Sequence, residues 1–212
     1  FHDEKDNLVG FDIEVARKIA EGLGVKAVFA EVEWDGIFAG IDSKRYDIAA
    51  NGVEITGERS QKYNFSEPYG YIRTVIIVRS DNNSIQFFED LKDKQTANTL
   101  ASTYSLLAEK YGAHTAGVDD LNETLQLVLA GRIDATLNAE VTFYDYMKAH
   151  PDAPLKIAAR TDDASCVAIP FRKDGSTDSL RLEIDKIIKQ LGESGELSAI
   201  SKKYFGADIS LE

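Results

Sequence analysis

Cysteine is nearly missing from this sequence. Cys166 is the single one in 212 residues, so no disulfide can form within the chain. Histidine is almost as scarce, and His2, His114 and His150 are too scattered to give the ligand spacing of a zinc site. No metal and no other cofactor is therefore expected. Nothing approaches the roughly 20 consecutive apolar residues that a membrane-spanning helix needs, and no secretory signal stands at the start. Phe1 is not a natural start and Leu211-Glu212 read as a vector remnant, so a trimmed chain is expected. Basic residues are in deficit: 24 lysines and arginines face 36 aspartates and glutamates, a formal net charge of −12. The charge is spread along the chain, and a surface of that sign repels phosphate backbones and anionic lipid heads. Nucleic acid and membrane surfaces are not expected partners.

What is present is the composition of a globular protein, 43% hydrophobic and 28% charged, which allows one large core or two modest ones. Residues 9–12 (VGFD) lead into a helix that Asp12 can cap, with Ile13, Ala16, Ile19, Ala20 and Leu23 at helical spacing. Residues 25–32 and 46–50 read as strands, separated by a turn at Trp34-Asp35-Gly36 and a short helix over 37–43. A β-branched run at 72–79 predicts a further strand, and 85–91 a short helix. A second α/β pattern follows: the run Ala101-Ser102-Thr103, a helix over 104–111, a strand within 112–118, a helix over 121–130, a strand over 133–137 and a helix over 140–150. Strands are expected at 155–159 and 166–171, and two helices over 179–205. Strands alternating with helices predict a parallel sheet covered on both faces, here in two lobes with no floppy linker.

Between residues 51 and 69 the sequence reads NGVEITGERSQKYNFSEPY. It places a carboxylate (Glu54), a hydroxyl (Thr56) and a guanidinium (Arg59) just after an expected strand. Polar groups of both signs at a strand's carboxyl end are how α/β proteins build small-molecule sites.

Seven blocks in register carry a resemblance: VGFDIE at 9–14, EWDGI at 33–37, YDI at 46–48, TGER at 56–59, FSEPY at 65–69, GRIDA at 131–135 and SKKYFG at 201–206. Together the chain resembles the polar amino-acid solute-binding proteins of ABC importers, from Val9 to Gly206. Residues 34–36, 42–45 and 138–146 look most like members that bind cystine or related amino acids. The resemblance implies a two-lobed α/β fold of the type II periplasmic-binding-protein kind with a two-strand hinge, at 74–79 and 165–171. Lobe one would be 1–78 plus 169–212, and lobe two 79–168. The first strand of lobe one, with the ligand loop that follows it in relatives, is absent from this chain. It also implies no enzymatic activity, an L-amino acid (cystine or another polar one) captured in the interlobe cleft, an ABC permease as partner, and a monomer unless another chain supplies the missing strand. The expected location is the periplasm or, by a lipid anchor, the outer face of the cytoplasmic membrane. The alternatives on the same scaffold are an enzyme, resembling cyclohexadienyl dehydratase, and a sensor input domain.

Arg59 is the candidate for the ligand's α-carboxylate, because a guanidinium presents a planar pair of donors to it; its plainer reading is a surface ion pair with Glu58. Many relatives hold the α-ammonium with an aspartate where Ala139 stands, which leaves Glu54 to balance that charge or to be a solvated strand-end residue. Trp34 would wall off the ligand side chain or fill a lobe edge. Asn51 and Gly52 would offer backbone groups near the ammonium. In lobe two, Ser102 and Thr103 at a helix N-terminus would face the carboxylate or cap that helix, and Asn138 would flank the ammonium or cap the next one. Tyr144 and Tyr146 are expected to be packing residues and Cys166 a buried, small apolar one.

Overall fold

Phe11, Val15, Ala16, Ile19 and Ala20 share one face of the first helix, and that face is buried. The buried stripe thus runs through Phe11 and Val15 rather than Ile13 and Leu23. In the computed structural model, which describes residues 2–212, this helix α1 is Phe11–Gly22. It is followed by α2 (Trp34–Asp42), α3 (Gly57–Lys62) and strands β1 (Tyr63–Phe65) and β2 (Gly70–Ile72). The chain then runs through β3 (Thr74–Arg79), a 3-10 turn at Phe88–Leu91, β4 (Gln95–Asn98), α4 (Thr103–Lys110), β5 (His114–Gly117), α5 (Leu121–Leu129), β6 (Thr136–Ala139), α6 (Glu140–Ala149) and β7 (Leu155–Arg160). It closes with β8 (Ser165–Val167), β9 (Pro170–Arg172), α7 (Asp178–Glu193) and α8 (Glu196–Phe205). Two units result: Phe1–Tyr71 with Ser165–Glu212, and Ile72–Ala164. The chain therefore passes from one unit to the other at residues 71–72 and 164–165, and β3 lies wholly inside the second.

In the first unit α1 and α8 pack through Phe11 and Phe205, whose ring centroids are 5.2 Å apart. Glu14 fixes the same contact from its polar side, accepting from Lys203 Nζ at 2.6 Å and the Tyr204 hydroxyl at 2.7 Å. Strand β1 runs antiparallel to β9, and β2 pairs with β8. The expected strand at 166–171 is broken into β8 and β9, and Pro170, which has no N–H to give a ladder, opens the second piece. The expected strands at 25–32 and 46–50 do not form. No described residue pairs with either in a ladder, and Val28 is 88% exposed, so neither segment gains hydrogen bonds or burial from an extended form. Helix α2 begins at Trp34, taking in residues expected to form a turn.

The second unit is built around β3, the middle of a three-stranded antiparallel group in the order β6-β3-β7. Its residues alternate between two cores: Ile76 and Val78 pack with Leu91, Ala108 and Leu137, while Val75 and Ile77 pack with Leu125, Val128, Phe143 and Tyr146. With both faces covered, the run TVIIVR needs no polar alternation. Strand β4 is parallel to β5 and joins the β6 side by a parallel bridge from Thr96 to Ala135. The unit is thus mixed rather than parallel throughout. The expected strand at 72–79 is interrupted at Arg73, whose carbonyl accepts from Glu140 N at 2.9 Å instead of from a ladder neighbour. The helix expected at 85–91 shrinks to the 3-10 turn, where Asp90 accepts from the amides of Gln86 and Phe87.

Candidate functional site

In the first unit Thr56 caps α3: its hydroxyl accepts from Arg59 N at 3.1 Å. That cap turns the Arg59 side chain back along the chain, where Nη1 donates to the Glu54 carbonyl at 3.0 Å. The guanidinium carbon lies 5.2 Å from the Trp34 ring centroid and 5.5 Å from that of Phe38. Those two rings meet edge to face, since residues four apart share a helix face. Phe38 packs in turn on Tyr63, 4.9 Å between centroids, and the Tyr63 hydroxyl donates to Asp42 at 2.8 Å. Burial and the Asp42 carboxylate push the Tyr63 phenol up to about 12, so it stays a donor at every ordinary pH. The result is a cation seated on an aromatic shelf, an arrangement that favours guanidinium.

Glu58, the partner the plainer reading gave Arg59, is instead paired with Lys62 at 3.1 Å. Glu54 is only 5% exposed, which overturns the solvated alternative, and its backbone bridges to Val167. Asn51 is exposed and Gly52 half-buried, with a φ of 57° that glycine accepts without strain. Trp34, Gly52, Glu54 and Arg59 are thus held on neighbouring pieces of one unit.

Asp12 does not cap α1. The N-cap is Gly10, and the Asp12 carboxylate accepts from Gly52 N at 3.2 Å and the Tyr69 hydroxyl at 2.5 Å. Asp12, Phe38 and Tyr69 were not singled out as site residues, although the spacing of Phe38 from Trp34 along a helix could have signalled its place.

In the second unit the site residues gather where β4 and β6 end side by side. Asn98 Nδ2 donates to the Leu137 carbonyl at 2.7 Å and to the Thr136 hydroxyl at 3.2 Å, lacing the two strand ends together. From there each strand leads into a helix N-terminus, α4 through Ser102 and Thr103, α6 through Asn138 and Ala139. Ser102 is the N-cap of α4, its hydroxyl accepting from Ser105 N at 3.2 Å. Just before it, Ala101 has a φ of 57°, unusual for any residue with a side chain. Asn138 does not cap α6: the N-cap is Ala139, and Asn138 Oδ1 accepts from Ala139 N at 2.8 Å. Glu140 accepts from the Tyr144 hydroxyl at 3.0 Å and from Arg160 at 3.2 Å. Tyr144 is 50% exposed and so does not pack as expected, whereas Tyr146 is buried. Cys166 is half-buried, and burial together with the Glu212 charge pushes its thiol up, which favours the unreactive protonated form. Two helix N-termini beside each other at adjoining strand ends, one capped by a serine, form the geometry that binds anionic groups in α/β proteins.

Over residues 1–207 the chain matches the family model of bacterial extracellular solute-binding proteins, family 3. The chain belongs to this family. It is a solute-binding protein of type II periplasmic-binding-protein fold, and not an enzyme. It is 40% identical to a probable amino-acid ABC transporter-binding protein of Haemophilus influenzae, over 99% of this chain and 81% of that one. It is also 40% identical to the L-cystine-binding protein TcyA of Bacillus subtilis, over 99% of this chain and 78% of the relative. Among solved structures, an ancestral arginine-binding protein bound to arginine has a TM-score of 0.88 at 34% identity, covering 97% of this chain and 92% of that one.

Proposed function

We propose that this solute-binding protein captures a polar L-amino acid, cystine among the candidates, outside the cytoplasm and delivers it to a membrane permease of the ABC class. The observation that carries the reading is the Arg59 guanidinium, placed by the Thr56 cap, the Glu54 carbonyl and the Trp34–Phe38 shelf. A fixed guanidinium is a two-donor receptor for an α-carboxylate. Ser102 and Thr103, at the start of α4 in the second unit, present a hydroxyl and the helix dipole to an anionic group. Glu54 balances the α-ammonium, since Ala139 offers no charge at the position where relatives commonly carry an aspartate. Asn51, Gly52 and Asn138 complete the polar lining and Trp34 bounds the side chain. One relative is a probable amino-acid ABC transporter-binding protein and the other an L-cystine-binding protein, and the arginine-bound structure shares this fold.

In this reading each unit supplies its own polar groups for the ligand. The protein acts as a monomer, unless another chain supplies the missing strand, in the periplasm or at a lipid anchor on the outer face of the cytoplasmic membrane. Thermal-shift screening of the twenty amino acids and cystine tests it. A selective rise in melting temperature with one or a few polar amino acids is expected. No shift with any of them would overturn the reading.

A further inference from the structure

Asp12 is an odd residue to find where it is. It stands in the first turn of α1, where an acidic side chain usually serves the helix's own amides, yet its Oδ1 is turned away to two partners far along the chain. One is the Gly52 N–H at 3.2 Å and the other the Tyr69 hydroxyl at 2.5 Å. Tyr69 is 1% exposed and stacked on Phe11 with 5.9 Å between centroids, so it cannot follow a moving carboxylate. Phe11 is in turn held by Phe205, and the neighbouring Glu14 by Lys203 and Tyr204. Asp12 is therefore held in place, while Gly52 stands at the open end of a stretch whose next residues are paired, Val53 O accepting from Ala168 N at 3.0 Å and Ile55 N donating to Cys166 O at 2.9 Å. A glycine at a φ of 57°, with open space where a side chain would stand, has more backbone freedom than other residues, and a hydrogen bond from its amide to a fixed carboxylate restricts that freedom.

We propose that Asp12 is a positioning residue for the ligand site: through the Gly52 amide it sets the start of the turn at residues 51–54, which presents the Gly52 backbone just ahead of the Glu54 side chain. This rests on the reading that those residues meet the ligand. Asp12 does not touch the ligand itself. The arrangement costs the fold something, because burial pushes the Asp12 carboxyl above its usual range against the two hydrogen bonds that favour its charge. A carboxylate kept at a site that disfavours it fits a part in binding better than a part in packing.

Three variants test this, read by calorimetry with the amino acid giving the largest thermal shift, and by hydrogen exchange of residues 51–54 without ligand. Asp12→Ala removes the acceptor and is expected to weaken binding about tenfold and to speed exchange at Gly52. Asp12→Asn keeps an acceptor oxygen and should restore affinity to within about threefold, with slow exchange regained. Tyr69→Phe keeps the ring stack, removes the hydroxyl and should fall between the two. A purely structural role would lower the melting temperature of Asp12→Ala while leaving both affinity and Gly52 exchange unchanged, and that result overturns the proposal. If the unaltered protein binds no amino acid, the function proposed above fails first, and unchanged exchange at Gly52 in Asp12→Ala then sinks the positioning role separately.

Discussion

The Arg59 guanidinium is anchored at 3.0 Å by the backbone carbonyl of Glu54, the residue whose side chain carries the opposite charge. One turn thus places a cation and an anion close together along the chain. A zwitterionic ligand needs that pairing: a cation for its carboxylate and an anion for its ammonium. The shelf of Trp34 and Phe38 under the guanidinium keeps water from one face of it.

Replacing Arg59 by lysine should therefore not be conservative. Lysine has no planar fork to take a carboxylate with two parallel hydrogen bonds and cannot lie flat on the Trp34 ring. Affinity for the best amino acid is expected to fall about 100-fold, from the loss of a bidentate charged hydrogen bond. Retained affinity in calorimetry would move the carboxylate site elsewhere.

Glu54→Gln separates charge from shape. If Glu54 balances the ammonium, affinity should drop about tenfold or more. The melting temperature without ligand should change little, because glutamine keeps the size and hydrogen-bonding capacity of a residue only 5% exposed. An unaltered dissociation constant would assign the ammonium to another group.

Gly40→Ala tests how residues 46–50 are held without a ladder. A Cβ at Gly40 would lie 2.1 Å from the Tyr46 ring, far inside contact distance, so the ring must leave its place. Overpacking of this kind costs about 1–3 kcal/mol, more than the ~1 kcal/mol alanine gains over glycine in a helix. Urea denaturation should show a net loss of stability. A gain would mean that the Tyr46 ring swings away without cost.

Arg172 secures the same region from the other side. Its Nη1 donates to the carbonyls of Ile41 and Tyr46 at 3.2 and 2.9 Å, closing the C-terminal end of α2. Arg172→Met should cost about 1–2 kcal/mol, because the half-buried Tyr46 carbonyl loses this donor while the Ile41 carbonyl keeps the Lys44 N–H at 3.1 Å. Denaturation midpoints within error of the parent would refute it.

Acid should weaken the fold through Asp174 and Asp208. The Ser176 hydroxyl and amide hold the Asp174 carboxyl down from 3.8 to about 2. At Asp208 burial works upward, but the Ser198 and Ser210 hydroxyls, the Ser210 amide and Lys202 outweigh it and bring the carboxyl to about 2. Both folded values lie below the unfolded ones, so the stability they contribute is present above pH ~4 and is lost as pH falls toward ~2. Asp208→Asn should flatten that loss in melting temperatures taken across this window. An unchanged slope would remove Asp208 from the account. Asp12 has the opposite sign: its carboxyl is raised, so its contribution is full at low pH and declines as pH rises through the folded value.

Much of the fold is legible in the sequence because the signals are local. Helices α4, α5 and α6 begin within a residue of where the apolar spacing and the run at 101–103 place them, and the structure adds Asp120 as the cap of α5, accepting from Glu123 N at 2.8 Å. Helices α7 and α8 divide at Gly195, whose φ of 79° calls for glycine. What the sequence hides depends on partners distant along the chain. Residues 25–32 alternate like a strand, but nothing among the described residues completes their ladder. Asp12 has the position of a cap, yet its hydrogen bonds go to Gly52 and Tyr69. The break at Arg73 follows from a hydrogen bond to Glu140, which no spacing announces. In the site, Arg59 and Glu54 stand out by charge and spacing alone. Phe38 has no polar atom to mark it, and only its four-residue spacing from Trp34 hints at the shelf it forms under the guanidinium.

The most direct test of the central claim is a calorimetric titration of the unaltered protein and of Arg59→Ala with the amino acid selected by thermal shift. The account predicts one ligand bound per chain of unaltered protein, and for Arg59→Ala an affinity lower by about 100-fold with the fold intact by circular dichroism. Equal affinities, or no binding by the unaltered protein to any amino acid or cystine, would contradict it.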